Sequence, residues 1–317
     1  MIAAALAAYA VFATTLLPRL LVRAQWSDRA PRLAISLWLA ACGSAIASAS
    51  LAAVATAVPT DTIGHELAGL IEACFAMLDN EFDPAAMSIG GWLALLAAAL
   101  IVIRAASGVG TVLIAAHRER RRHAAMLRLL GRRDSELGAI VLDYDEPLVY
   151  CLPGRHAKKV ITTAALRSLA PAYVAAVLAH EQAHLRGRHH LVLAVAEGLS
   201  RAFPRLSLFA KAKKEIIRLV ELHADDVAAR HHPRIHIAAA LVSLATSRAP
   251  AFVLGAGGET ALARIRRMLH PATPLRRREK LTGMAAVGML LVGPAAVALL
   301  PGLSALVAHH CHNLFLL

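Results

Sequence analysis

The chain has 317 residues, of which 58% are hydrophobic and 17% charged. A soluble domain is roughly 45–50% apolar and about 25% charged, so this composition excludes a wholly water-soluble protein. The net charge of +13 and pI near 10.4 raise a nucleic-acid reading. However, the basic residues cluster beside apolar runs, where anionic headgroups attract them. With no nucleic-acid-binding motif beside them, the expected partner is the lipid bilayer and no direct nucleic acid is expected.

Four runs have the length and composition of membrane spans, for which about 20 apolar residues suffice. Met1 to Leu17 carries no charge and reads as a short span. A signal peptide is the rival reading, but there is no basic n-region and no clean cleavage site before Arg19. Leu33 to Val58 and Met284 to Ala308 are uncharged throughout, and Gly90 to Ala116 is apolar except for Arg104. An intramembrane arginine costs roughly 2.5–3.5 kcal/mol on insertion scales. Arg104 is therefore expected to face protein or water, either satisfied by backbone carbonyls or coupling the bundle to the rest of the chain.

Charge then orients the spans. The stretch 18–32 holds Arg19, Arg23, Arg29 and Arg32 against Asp28, whereas 59–89 holds six acidic residues and no Lys or Arg. From His117 to Leu281 there are 29 Lys/Arg and 14 Asp/Glu. The positive-inside rule puts 18–32 and 117–281 in the cytoplasm and the acidic loop outside. The expected organisation is three spans in 1–116 with an extracellular loop at 59–89, a cytoplasmic domain over 117–281, and a fourth span with a short external tail over 282–317. Of the four cysteines, Cys42 and Cys151 are expected to be free and buried. Cys74 and Cys311 both fall outside, as a disulfide or as two free thiols.

Within the cytoplasmic segment, 117–135 reads as a basic helix leaving the membrane. Ala139 to Asp143, Leu148 to Leu152 and Val160 to Thr163 read as short strands punctuated by Asp145-Glu146-Pro147 and Pro153-Gly154. A small antiparallel sheet is the expectation. Pro171 suits the first turn of a helix, which then runs to about Arg188. Further helices are expected over Leu191 to Leu199, Lys213 to Arg230 and Ile235 to Ala245.

Residues 180–184 read His-Glu-Gln-Ala-His. Positions i and i+4 share a helix face, so His180 and His184 can hold one metal ion while Glu181 serves as general base. A catalytic zinc takes three protein ligands and keeps one position open. Glu221 is the candidate third ligand, and Asp225, again at i+4, the candidate partner for the far ring nitrogen of a ligating histidine. The bland alternative for Glu221 and Asp225 is a solvated charged face, which is also the reading for Asp226. His223 rotates off that face, as a surface residue or as a stabiliser of the transition-state oxyanion. His189, His190, His231, His232 and His236 read as interfacial or solvated, and His309, His310 and His312 as a headgroup-level anchor.

The HExxH followed by Glu-x-x-x-Asp resembles the gluzincin arrangement of the HtpX and CAAX prenyl proteases. With Leu152-Pro153-Gly154, Val160-Ile161-Thr162-Thr163 and Leu169-Ala170-Pro171 ahead of His180, it is still more similar to the BlaR/MecR-type membrane metallopeptidases of bacteria. The resemblance implies a mainly α membrane protein of the bacterial cell membrane. Four transmembrane helices would carry a cytoplasmic zincin-like α+β domain with Zn2+ as cofactor. It implies an endopeptidase acting on a cytoplasmic protein, plausibly a winged-helix transcriptional repressor in a signalling pathway. It also suggests that Val160, Ile161, Thr162 and Thr163 pair with an extended substrate. The antibiotic-sensing relatives carry an extracellular penicillin-binding domain after the last span, and this sequence ends at Leu317, so β-lactam sensing is not expected. Two alternatives remain open: a quality-control or processing protease of the HtpX or CAAX type, and a catalytically silent receptor. The intact Glu181 argues against the second.

Overall fold

A computed structural model describes residues 1–57, 88–154, 157–246, 256–270 and 273–314. The acidic loop, including Cys74, lies outside them. Helices α1 (Ile2–Thr15), α2 (Leu17–Val22), α3 (Pro31–Ala57) and α4 (Ile89–Leu130) lead into strands β1 (Gly131–Asp134), β2 (Ala139–Leu142), β3 (Val149–Leu152) and β4 (Lys158–Thr162). Then follow α5 (Thr163–Ser168), α6 (Pro171–Arg186), α7 (His189–Ala202), α8 (Ser207–Ala228), α9 (Arg234–Thr246), α10 (Ala256–Leu269) and α11 (Arg277–Leu314). Among the described residues, four helical stretches are long and apolar enough to cross a membrane: Ile2–Val22, Pro31–Ala57, Ile89–Leu130 and Arg277–Leu299. They coincide with the four expected spans.

α4 is capped by Ser88, whose Oγ accepts from Gly91 N at 3.1 Å. At about 1.5 Å per residue its 42 residues reach about 63 Å. It therefore continues well past any hydrocarbon core and delivers the chain straight into the sheet. The expected helix over 117–135 ends at Leu130, because Gly131 to Asp134 pairs antiparallel with Ala139 to Leu142 as an additional strand.

The sheet order is β1-β2-β4-β3, with β2 and β4 parallel and β3 and β4 antiparallel. The sheet is therefore mixed, which corrects the all-antiparallel expectation: the chain passes from β2 to β3 and returns to insert β4 between them. That insertion also overturns the substrate role expected for Val160, Ile161, Thr162 and Thr163. Both edges of β4 are already paired, and Val160, Ile161 and Thr162 are fully buried. Thr162 has a structural task instead. Its Oγ1 donates to Glu146 O at 2.7 Å and accepts from Leu148 N at 3.0 Å and from Ala165 N at 3.2 Å, closing the turn and capping α5. The free edge beside α6 belongs to β3.

The main core crosses the boundary expected at residue 117. Ala34, Ile35, Trp38, Ala41, Cys42 and Ala45 of span α3 pack with Leu208, Phe209, Ala212, Ile216, Leu219 and Val220 of α8. Helix α7 lies against span α4 at a backbone-to-backbone crossing. A Cβ on Gly198 would fall 2.5 Å from Val109 Cα, and one on Gly108 would fall 2.7 Å from Gly198 O. Close by, Arg104 Nε donates to Ala202 O at 2.6 Å. The cation thus meets the carbonyl end of α7, where the helix dipole is negative. Both readings of Arg104 meet here, since the backbone carbonyl that satisfies it belongs to a helix outside the spans.

The crossing gives a direct test. Gly198→Ala should lower the thermal midpoint of the purified protein, overpacking typically costing about 1–3 kcal/mol. Gly110→Ala, where no atom lies within 4 Å of the added Cβ, should not. Equal midpoints for the two variants would refute the close crossing.

Candidate active site

Five elements build the site, the fifth being α7, which supplies His189. α6 starts at Pro171 and buries Val174, Val177 and Leu178 together with His180, so its HExxH face turns inward. α8 is amphipathic, burying Leu219, Val220 and Leu222 beside Asp225. Its apolar stripe against the spans sets the rotation that presents Glu221 and Asp225 to α6. β3 supplies Cys151, and α10 supplies Arg264.

The nitrogens His180 Nε2 and His184 Nε2 lie 3.0 Å apart, and each is 3.5 Å from a different oxygen of Glu221. One ligand atom from each of the three residues falls within 4.8 Å of the others. The other nitrogen of His180, Nδ1, lies 2.9 Å from Asp225 Oδ1. Asp225 is fully buried and is gripped by Arg264, which donates from Nε to Oδ2 and from Nη2 to Oδ1, both at 2.8 Å. Arg264 Nη1 also reaches Glu221 Oε2 at 2.9 Å. Asp226, expected to be solvated, is held by Arg267 at 2.8 and 2.7 Å.

The charge preferences of these side chains follow from their contacts. Burial works against ionised carboxylates, yet Arg264 and His180 overcome it and hold both Asp225 and Glu221 down at about 2. Burial also works against a charged His180, but Asp225 and Glu221 carry it up to about 9. His184 is pushed down to about 4 by burial and then by the charge of His180. These contacts thus favour the ionised forms of Asp225 and Glu221 and set the two imidazoles apart, His180 raised and His184 lowered. Two imidazoles and a carboxylate converging on one point are the donors zinc favours, so the residues present fit that ion. To hold it, His180 and His184 would each present a neutral ring nitrogen.

Glu181 stands beside this cluster. Burial raises its pKa, partly countered by His180 and by the thiol and backbone of Cys151, which suits a base working near neutral pH. Burial, and next Glu181 itself, push the Cys151 thiol up to about 12, so it stays protonated. Cys42 and Cys151 are free, as expected, Cys42 buried and Cys151 half-buried.

Two residues of the site were not anticipated, apart from Cys151. Arg264 lies in a helix that also carries Arg266 and Arg267, and nothing in that pattern singles it out. His189, expected at an interface or in solvent, is 3% exposed, with its Nδ1 2.9 Å from His184 Nδ1. With a metal held at Nε2 of His184, Nδ1 would carry the ring proton and would donate it to His189 Nδ1. The turn explains the placement: Arg188 adopts φ 49°, a left-handed conformation, and folds the chain back so that His189 lies over the end of α6. Gly187 leaves the room, since a Cβ there would meet His189 Nε2 at 2.4 Å. The glycine ending α6, two residues before a histidine pair at His189-His190, was the available signal. His223 is not gathered to the ligands; its ring packs on His189, centroids 5.4 Å apart.

An HExxH helix and a Glu-x-x-x-Asp helix converging beside a small sheet define a metallopeptidase, carried on helices able to span a membrane. Residues 116–252 match the family model described as Peptidase family M48, which supports an M48-type metallopeptidase. Searches of the curated proteins and of the solved structures give no match.

His189→Ala should weaken zinc binding roughly 10–100-fold, the usual loss when the partner of a ligating histidine is removed. Gly187→Ala should do the same by displacing the ring, yet add little in the His189→Ala background. Competition with a chromogenic chelator measures all three. Wild-type affinity in Gly187→Ala, or additive losses in the double variant, would rule out this role.

Proposed function

We propose that this protein is a zinc endopeptidase of the bacterial cell membrane that cleaves a cytoplasmic protein, plausibly a winged-helix transcriptional repressor. The observation that carries the reading is the convergence of His180, His184 and Glu221 within 4.8 Å beside the half-buried base Glu181. Bound zinc supplies a positive charge that polarises the scissile carbonyl and acidifies water. Glu181 takes the proton of the attacking water and passes it to the nitrogen of the leaving amine. Arg264 and Asp225 hold the ligands in register throughout.

The outer edge of β3 supports an endopeptidase reading. It is unpaired among the described residues and carries Cys151 next to Glu181. An extended peptide adding to that edge brings its backbone past the base. The cytoplasmic orientation rests on the basic flanks Arg118 to Arg122 and Arg276 to Lys280.

A signalling role is supported by contacts between the site helices and the loop joining the first two spans. Arg218 of α8 pairs with Asp28 at 2.6 Å. Arg267 of α10 donates to Asp28 O at 2.8 Å while holding Asp226. Arg264, one helical turn before Arg267, holds Asp225 and Glu221. A shift of the first two spans therefore reaches the metal ligands through two arginines on one helix.

Glu181→Gln keeps the shape but cannot accept the proton. It should lower turnover by at least about 10²–10⁴-fold while zinc content and fold are retained, and in cells it should retain uncleaved substrate. Crosslinking followed by mass spectrometry should recover a cytoplasmic DNA-binding protein. Wild-type cleavage by the variant would refute Glu181 as the base. Capture of misfolded membrane proteins alone would refute the repressor reading.

A further inference from the structure

Past His117 the apolar part of α4 gives way to a basic rod. On one side of this rod Arg120, Arg121 and Arg128 line a cavity of about 780 Å³ that Arg133 of β1, Lys158 of β4 and His190 of α7 complete. Among the described residues no carboxylate lines it. Among the described residues none of these four arginines, nor Lys158, has an ion-pair partner, although Arg122 on the same helix pairs with Glu119. Around the candidate active site, by contrast, arginines are closely paired: Arg218 with Asp28, Arg264 with Asp225 and Arg267 with Asp226. Five like charges around one concavity repel one another and concentrate a positive potential there. The arrangement is complementary to an anionic ligand.

The position of the cavity says which one. Its wall is the end of β3 and the turn beyond it, Leu152, Pro153 and Gly154. Cys151, immediately before Leu152, lies against Glu181. At about 3.3 Å per residue, Cys151 to Gly154 is about 10 Å of extended chain. On its other side the cavity is bounded by His190, next to His189 of the metal site. A peptide lying along the free edge of β3 with its scissile bond at Glu181 therefore passes over the cations two to four residues from the bond.

We propose that this cavity is a substrate subsite that recognises acidic side chains two to four residues from the scissile bond, on one side of it. The inference rests on the peptidase reading and adds the polarity of the substrate. An anionic phospholipid headgroup carries the same charge, but the shared wall with β3 and the proximity to the α6–α7 turn put the cavity on the path of a peptide.

The test uses the full-length, zinc-loaded protein in neutral detergent and a peptide library in which Asp, Ala or Lys occupies each of the four positions on either side of the bond. Exposed charge pairs are each worth about 0.2–1 kcal/mol. A pair of acidic residues facing this cluster should accordingly raise kcat/KM on the order of tenfold over the lysine counterparts on one side of the bond, with the advantage shrinking as salt screens it. Arg121→Glu/Arg128→Glu should reverse the preference toward lysine at unchanged zinc content. The proposal is overturned if the library is cut with no difference between Asp and Lys. It is equally overturned if the double variant loses only co-purified phosphatidylglycerol, which would make the cavity a lipid site. Fluorescence anisotropy of the same peptides on the Glu181→Gln protein separates the inference from its premise. Tighter binding of acidic peptides without cleavage by wild type would retain the subsite and sink the peptidase reading, whereas charge-indifferent binding would sink the subsite.

Discussion

A single buried carboxylate organises the active site. Asp225 has no exposed surface, and an isolated charge in such a place would cost several kcal/mol or be neutralised by protonation. It stays ionised because Arg264 meets both of its oxygens and His180 meets one. Because Asp225 and Glu221 are one turn apart on α8, fixing the first fixes the second. Arg264 binds both, so the candidate metal ligand Glu221 on α8 and, through Asp225, the candidate ligand His180 on α6 are tied to the same guanidinium. Removing any one member would leave the others buried and unpaired, which makes the set cooperative rather than a sum of contacts.

That cluster depends in turn on the membrane helices. α8 is oriented by the apolar side chains it packs against span α3, and α7 by its crossing with span α4 at Gly108 and Gly198. The site is thus an outgrowth of the bundle, sharing its core, rather than a soluble domain tethered to it. The arginines of α10 extend the same logic to the loop at Asp28. The sheet order decides which edge is open: inserting β4 between β2 and β3 leaves β3, among the described residues, as the edge strand beside Glu181.

How much of this could be read from the sequence depended on whether the information was local. The spans are legible because lipid demands an unbroken apolar run. His180, Glu181 and His184 are legible because one helix turn fixes their relation. Glu221 and Asp225 follow by the same i, i+4 argument once a third ligand is sought. His189 was misread because its burial depends on the left-handed Arg188 and on the missing side chain of Gly187, neither visible as hydrophobic periodicity. Arg264 belongs to a helix with three arginines, and only the packing of α10 on α8 separates the one that grips Asp225. The strand Val160 to Thr162 was recognised as a strand, but its place inside the sheet is a property of topology. The short run Gly131 to Asp134 carries no apolar alternation and becomes a strand only through pairing with β2.

The central claim is that two imidazoles and one carboxylate hold a catalytic zinc. X-ray absorption at the zinc edge of the full-length protein, with elemental analysis for stoichiometry, tests it most directly. The account predicts close to one zinc per chain and a first shell of nitrogen and oxygen only, at about 2.0–2.2 Å. The shell should lose one scatterer from a side-chain carboxylate in Glu221→Ala. Zinc far below one equivalent, or a sulfur at about 2.3 Å contributed by Cys151, would contradict it.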